Sequence, residues 1–171
     1  LNSSGWFLDS GNLRQIKKWR SVIGGITTNQ LILFKKDKIF NVPQHLKNII
    51  KVTGPNVPLS VELPDSNAGI REMIDLSKRY FEISPENIVI KVPIIPHNTK
   101  GLNVISKLSK LGIPTNATIG INSAQLMLAA EASRYYQGPK DCYISLFWGR
   151  AQESSIRGES LPAEDVLDST I

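Results

Sequence analysis

Six times along this chain a short apolar run gives way to a longer amphipathic stretch, and no other feature constrains the fold as much. Four to eight apolar residues in a row suit a strand covered on both faces, and apolar residues three and four apart suit a helix doing the covering. Repetition of the pair is the signature of βα units around a parallel sheet. The strands are expected at Trp6 to Asp9, Gly24 to Asn29, Pro58 to Leu63, Asn87 to Pro93, Gly112 to Ile119 and Cys142 to Phe147. The helices are expected from Ser10 (as N-cap) to Arg20, from Pro43 to Val52, from about Asn67 to Tyr80, from Gly101 to Leu111, from Ser123 to Tyr136 and from Leu161 to Ser169.

Two α/β architectures accept such a string, an open doubly wound sheet and a closed (β/α)8 TIM barrel. The open sheet usually carries a glycine-rich phosphate turn after its first strand. Here Leu8-Asp9-Ser10-Gly11-Asn12 holds no G-x-G-x-x-G. The barrel is favoured, as a single domain over residues 1–171 with about six βα units and no counterpart of strands seven and eight. Open edges on strands one and six predict association between chains, a homo-oligomer.

The bulk chemistry narrows the class further. A hydrophobic content of 41% with 20% charged residues is ordinary for a soluble protein, and the single cysteine, Cys142, allows no intrachain disulfide. With no segment near the roughly 18 apolar residues of a membrane span, the expectation is a cytoplasmic protein with no membrane partner. The net charge of +5 is uneven, with −4 on residues 151–171 and +9 on the rest. The basic clusters Lys17, Lys18, Arg20 and Lys35, Lys36, Lys38 carry no recognisable nucleic-acid-binding motif, so nucleic acid is not favoured as a partner, and small anionic substrates account for the charge equally well.

The fourth run, Asn87-Ile88-Val89-Ile90-Lys91-Val92-Pro93, places a lysine in a β-branched strand. A buried ammonium is costly unless it meets a carboxylate or gives up its proton, and the free amine attacks carbonyls to form a Schiff base. A period of two puts Lys91 on one face with Val89, and likewise Ser60 with Glu62, Thr27 with Asn29, Asn116 with Thr118, and Ser145 with Phe147, while Asp9 ends the first strand. Polar groups at six successive strand ends match the mouth where barrel enzymes place their chemistry. His45 reads as a surface or packing residue, Cys142 as a small buried one, and Trp6, Trp19 and Trp148 as core or interface. His97 lies on the loop after the lysine strand, and two distant histidines make a poor metal site.

The ordered set Phe7-Leu8-Asp9, Gly25-Ile26-Thr27-Thr28-Asn29, Val61-Glu62, Ile90-Lys91-Val92-Pro93, Pro114-Thr115-Asn116-Ala117-Thr118 and Ser145-Leu146-Phe147-Trp148-Gly149-Arg150 resembles the transaldolase family, including its small fructose-6-phosphate-aldolase-like branch. Gln30 departs from the proline that often follows the asparagine, and Pro96-His97-Asn98 lengthens the loop after the lysine. Glu62 and Phe147 resemble the transferring members rather than the cleaving ones. The resemblance implies a Schiff base on Lys91, Asp9 as acid and base, and Glu62 with Thr118 holding a water. It also implies Asn29, Thr27, Asn116 and Ser145 on the substrate, Phe147 as an apolar wall, and Arg150 on the phosphate. The implied activity is transfer of a dihydroxyacetone unit between sugar phosphates in the pentose phosphate pathway, without metal or cofactor. The alternatives are an aldolase-like lyase or a silent truncated barrel that binds sugar phosphates.

Overall fold

The computed structural model describes residues 5–36, 38–63, 68–159 and 161–170. In chain order the elements are β1 (Phe7–Asp9), α1 (Leu13–Trp19), β2 (Gly25–Thr27), a π-helical segment (Leu31–Lys36), α2 (Val42–Thr53), β3 (Leu59–Glu62), α3 (Ile70–Phe81) and β4 (Ile88–Pro93). They continue as α4 (Lys100–Lys110), β5 (Thr115–Gly120), α5 (Ser123–Ser133), β6 (Tyr143–Leu146), α6 (Trp148–Ile156) and α7 (Ala163–Asp168). The sheet order is β1-β2-β3-β4-β5-β6, with parallel ladders between β1 and β2, β2 and β3, and β5 and β6. A doubly wound sheet reverses its strand order at a switch point. Here every strand lies beside its predecessor, which is the order of successive units in a TIM barrel and bears out the expected fold class.

By their contacts the residues fall into two compact units, Leu1–Ala68 with Asp75–Ile90, and Gly69–Ile74 with Lys91–Ile171. In the first, Ile16, Ile26, Leu46, Ile49, Leu59 and Ile88 are fully buried. The residue that caps α1 is Asn12 rather than Ser10, its side chain accepting from Arg14 N–H and Gln15 N–H at 3.0 and 3.2 Å. Ser10 instead accepts from Asn12 N–H at 3.0 Å and donates to Gln15 Oε1 at 2.8 Å, so the turn lies two residues later than the hydroxyl alone suggested. Helix α2 begins at Val42 with Asn41 as its cap and Pro43 in the first turn, where a missing N–H costs nothing. Nothing in the residue pattern announces the π-helical segment. It starts because Asn29 Oδ1 accepts from Ile32 N–H at 2.8 Å while Asn29 O accepts from Leu33 N–H at 3.0 Å, and it buries Leu33. The expected start of α3 at Asn67 lies outside the described residues.

In the second unit the core is built from Val92, Val104, Ile105, Leu108, Ala117, Leu126 and Ala129. Burying each of the larger aliphatic side chains contributes about 1.5–3 kcal/mol. Gly101, in the first turn of α4, permits a close approach: a Cβ there would stand 2.2 Å from Pro93 O, so any side chain would push the helix off the end of β4. Helix α6 forms where no helix is expected, and it carries Arg150. The tryptophans are not core, since Trp6, Trp19 and Trp148 are 78%, 47% and 44% exposed. Lys18 instead lies over the Trp19 ring at 5.4 Å, and Arg20 Nε donates to Thr53 O at 3.2 Å, which gives two of the clustered cations local partners. Among the described residues no helix is long and apolar enough to cross a membrane.

Candidate active site

In the first unit Asp9, Thr27 and Ser60 stand in one row, because the ladders pair Asp9 with Thr27 and Thr27 with Ser60, and paired residues of parallel strands share a face. Thr27 Oγ1 donates to Asp9 Oδ1 at 2.6 Å, a short hydrogen bond between neighbouring strand ends. Asp9 is exposed, Thr27 and Glu62 are half-buried, and Glu62 lies two residues beyond Ser60 on that same face. Gln30, the departure noted in the sequence, donates from Nε2 to the Glu62 carbonyl at 3.0 Å and so ties down the end of β3. Asn29 lies beyond the end of β2, not within it, and its Oδ1 is engaged in capping the π-helical segment. His45 is buried rather than superficial, and its Nε2 is 2.7 Å from Gly11 O, two residues past Asp9.

In the second unit Lys91 is 6% exposed in a strand whose residues 88–92 are all buried. The bond from Ile94 N–H to Thr118 O sets the β4–β5 register in the way that Thr28 N–H to Ser60 O accompanies the Thr27–Ser60 pair. Counted back two residues on each strand, it sets Lys91 beside Asn116. Asn116 in turn accepts from Ser145 Oγ at 2.8 Å. Lys91 and Asn116 thus lie side by side, and Ser145, two residues past the Tyr143 that the ladder pairs with Asn116, reaches back to it; Asn116 is 3% exposed.

The β5–β6 ladder pairs Ala117 with Ile144 and Gly120 with Leu146, so Thr118 and Ile119 together oppose Ser145 alone. This is a bulge, the usual device for re-aiming a side chain beside a functional site. Thr118 is fully buried, and its Oγ1 has no hydrogen-bond partner among the described residues. A buried hydroxyl left unmet costs about 1–3 kcal/mol. Phe147 is not the last strand residue but the N-cap of α6, held by its N–H to Gly120 O at 2.7 Å. The exposed Arg150 guanidinium lies 5.5 Å above the Phe147 ring, a contact that orients it and leaves its edge for an anion. Cys142 is half-buried and takes Thr115 N–H at 3.5 Å, a packing role. Among the described residues no group of three or more His, Cys, Asp or Glu side chains could hold a metal.

Parallel βα units in sequential order, with polar side chains at the ends of their strands and a lysine buried in the fourth, define a protein of the aldolase-like barrel class. The family model described as transaldolase/fructose-6-phosphate aldolase matches residues 6–167, and the chain belongs to that family. Similar proteins include one from Aquifex aeolicus named a probable transaldolase, 32% identical over 162 residues that make up 93% of this chain and 66% of that protein. Another of the same name, from Thermoanaerobacter sp., is 35% identical over 164 residues, 95% of this chain and 68% of its own length. A third, from Kosmotoga olearia, is 32% identical over 164 residues, 94% and 66% of the two chains. The chain thus spans about two thirds of the length of the curated relatives it matches.

Proposed function

We propose that this protein transfers a dihydroxyacetone unit from a ketose phosphate to an aldose phosphate through a Schiff base on Lys91, as in the pentose phosphate pathway. The observation that carries this reading is the burial of Lys91, 6% exposed and beside Asn116, in a chain of the transaldolase/fructose-6-phosphate aldolase family. The Lys91 amine adds to the donor ketone, and loss of water gives the imine. The Asp9 carboxylate takes the proton of the C4 hydroxyl as the C3–C4 bond breaks, its electron pair passing into the imine to leave an enamine. The aldose phosphate departs. The enamine carbon then attacks the acceptor aldehyde, Asp9 returns its proton to the new alkoxide, and water frees the product ketose from Lys91.

The other side chains have matching chemistry. The 2.6 Å bond from Thr27 fixes the orientation of the Asp9 carboxylate as the proton acceptor. The unmet hydroxyl of Thr118 suits it to hold, with Glu62, the water that shuttles protons during imine formation. Asn116 and Ser145, already bonded to each other, take the hydroxyls of the three-carbon unit, and Asn29 offers its Nδ2, since Oδ1 is the capping atom. Phe147 presents an apolar face that disfavours hydrolytic loss of the intermediate, and Arg150 above it takes the substrate phosphate.

Incubation with fructose 6-phosphate and an aldose phosphate tests the reading. A new ketose phosphate should form only when the acceptor is present, and Lys91→Met should abolish it. Release of free dihydroxyacetone at an equal rate without acceptor would favour the lyase that the family description also names.

A further inference from the structure

We propose that Gln125 is a positioning residue that locks the end of the Lys91 strand to the bulge carrying Thr118. This rests on the reading of Lys91 as the reacting amine and Thr118 as a proton-handling group. Gln125 stands in the first turn of α5 and is 9% exposed. Its Oε1 accepts from Ile121 N–H at 3.0 Å and its Nε2 donates to Ile94 O at 2.9 Å. The orientation of the amide follows from its partners, since an N–H can only donate and a carbonyl can only accept.

A helix cap explains only half of this. A glutamine three residues after the Asn122 cap commonly returns its oxygen to the chain just ahead of the helix, and Oε1 does so here. The nitrogen goes elsewhere, to the carbonyl three residues beyond Lys91. That same residue, Ile94, sends its own N–H to Thr118 O at 2.9 Å. Both backbone groups of Ile94 are therefore bonded to the segment running from Thr118 to Gln125.

The segment so held is one that would not keep its shape alone. Ile119 has φ = 69°, a left-handed conformation that a β-branched side chain strongly disfavours. At the next residue a Cβ on Gly120 would meet Leu126 Cδ2 at 2.4 Å and Ser145 O at 3.1 Å, so a side chain there would have to displace Leu126. Strain of this kind persists only where neighbours over-determine it, and Gln125 supplies the bond on its C-terminal side. Without the Nε2 bond to Ile94 the segment loses this tie to the end of β4, Ile119 can relax toward an ordinary conformation that rotates Thr118, and the end of β4 can drift from its register.

Gln125→Glu tests the proposal, because it keeps the acceptor and exchanges the donor for a carboxylate that repels Ile94 O until it is protonated. The readouts are kcat and KM for transfer and the rate at which acetic anhydride acylates Lys91 relative to the exposed Lys107, followed by peptide mass spectrometry. We expect kcat near neutral pH to fall about ten- to a hundredfold with KM within twofold, as for a displacement of about 1 Å. The relative acylation rate of Lys91 should change by at least about threefold and return toward the wild-type value as acid protonates the introduced carboxylate. In a folded variant, a relative acylation rate within about 1.5-fold of wild type at every pH overturns the proposal. Amide exchange in the unaltered protein is a second measurement that needs no variant. Ile121 N–H should be strongly protected, and exchange as fast as in an exposed loop also overturns it. Acylation and exchange require no substrate, so an absence of transfer by the wild type counts against the proposed function while these two measurements still decide the role of Gln125.

Discussion

Thr27 and Asp9 occupy paired positions at the ends of β2 and β1, and the threonine hydroxyl donates to the carboxylate at 2.6 Å. Thr27→Val keeps the shape and removes the donor. It should lower kcat about tenfold, equivalent to ~1.4 kcal/mol and within the range of a hydrogen bond to a charged group, with KM within about twofold. Thr27→Ser should retain most of the rate. A loss in Thr27→Ser with none in Thr27→Val would show that the methyl group, not the hydrogen bond, matters.

Thr118→Val separates stability from activity. The hydroxyl is buried without a partner among the described residues, so replacing it with a methyl removes a desolvated polar group and none of the hydrogen bonds described. Urea unfolding should show stability unchanged or raised by up to ~1 kcal/mol, while transfer falls at least about tenfold. A loss of stability above ~1 kcal/mol would mean that Thr118 is structural.

The Ser145–Asn116 bond at 2.8 Å predicts coupling. In a cycle of Ser145→Ala, Asn116→Ala and the double variant, the interaction energy from urea unfolding should be about 0.5–1.5 kcal/mol. Strict additivity would deny the bond any contribution.

His45 belongs to the scaffold of the first unit. Its ring holds Gly11 O at 2.7 Å from a buried position, so His45→Leu should cost about 1–3 kcal/mol by stranding that carbonyl. A variant as stable as wild type by thermal unfolding would assign the contact no weight.

Tyr80 makes a pH prediction. Burial raises its phenol above the ordinary value of about 10, with the Arg79 charge opposing in part. The folded state therefore prefers the neutral phenol. Its contribution is fully present below about pH 10 and is lost as pH rises through the higher folded value. Stability should fall over that interval, and Tyr80→Phe should flatten the fall; an unchanged slope would contradict the assignment.

The strands were legible because period and composition agree there. The run at 87–93 is apolar on both faces and bounded by Ser84-Pro85 and Pro93, and β4 occupies Ile88–Pro93 as that pattern demands. What the sequence concealed lies where side chains bond the backbone. Ser10 reads as the cap of α1, and the turn through Gly11 puts Asn12 there instead. The π-helical segment depends on the bond from Ile32 N–H to Asn29 Oδ1 in a stretch that otherwise reads as an apolar loop. The bulge at Thr118 and Ile119 breaks the alternation of faces, and a period of two cannot announce its own interruption. Gln125 escaped notice because a polar residue in a helix's first turn looks like a cap until its nitrogen is seen on Ile94. Helix α6 was hidden by glycine and serines in Trp148–Ile156, residues of modest helix propensity held by packing of Ala151.

A covalent imine on one buried lysine is what the proposed chemistry requires, and trapping reads it directly. Fructose 6-phosphate followed by borohydride should fix a three-carbon adduct, and peptide mass spectrometry should find it on Lys91 in wild type and nowhere in Lys91→Met. Labelling of another lysine, or equal incorporation into the variant, would contradict the account.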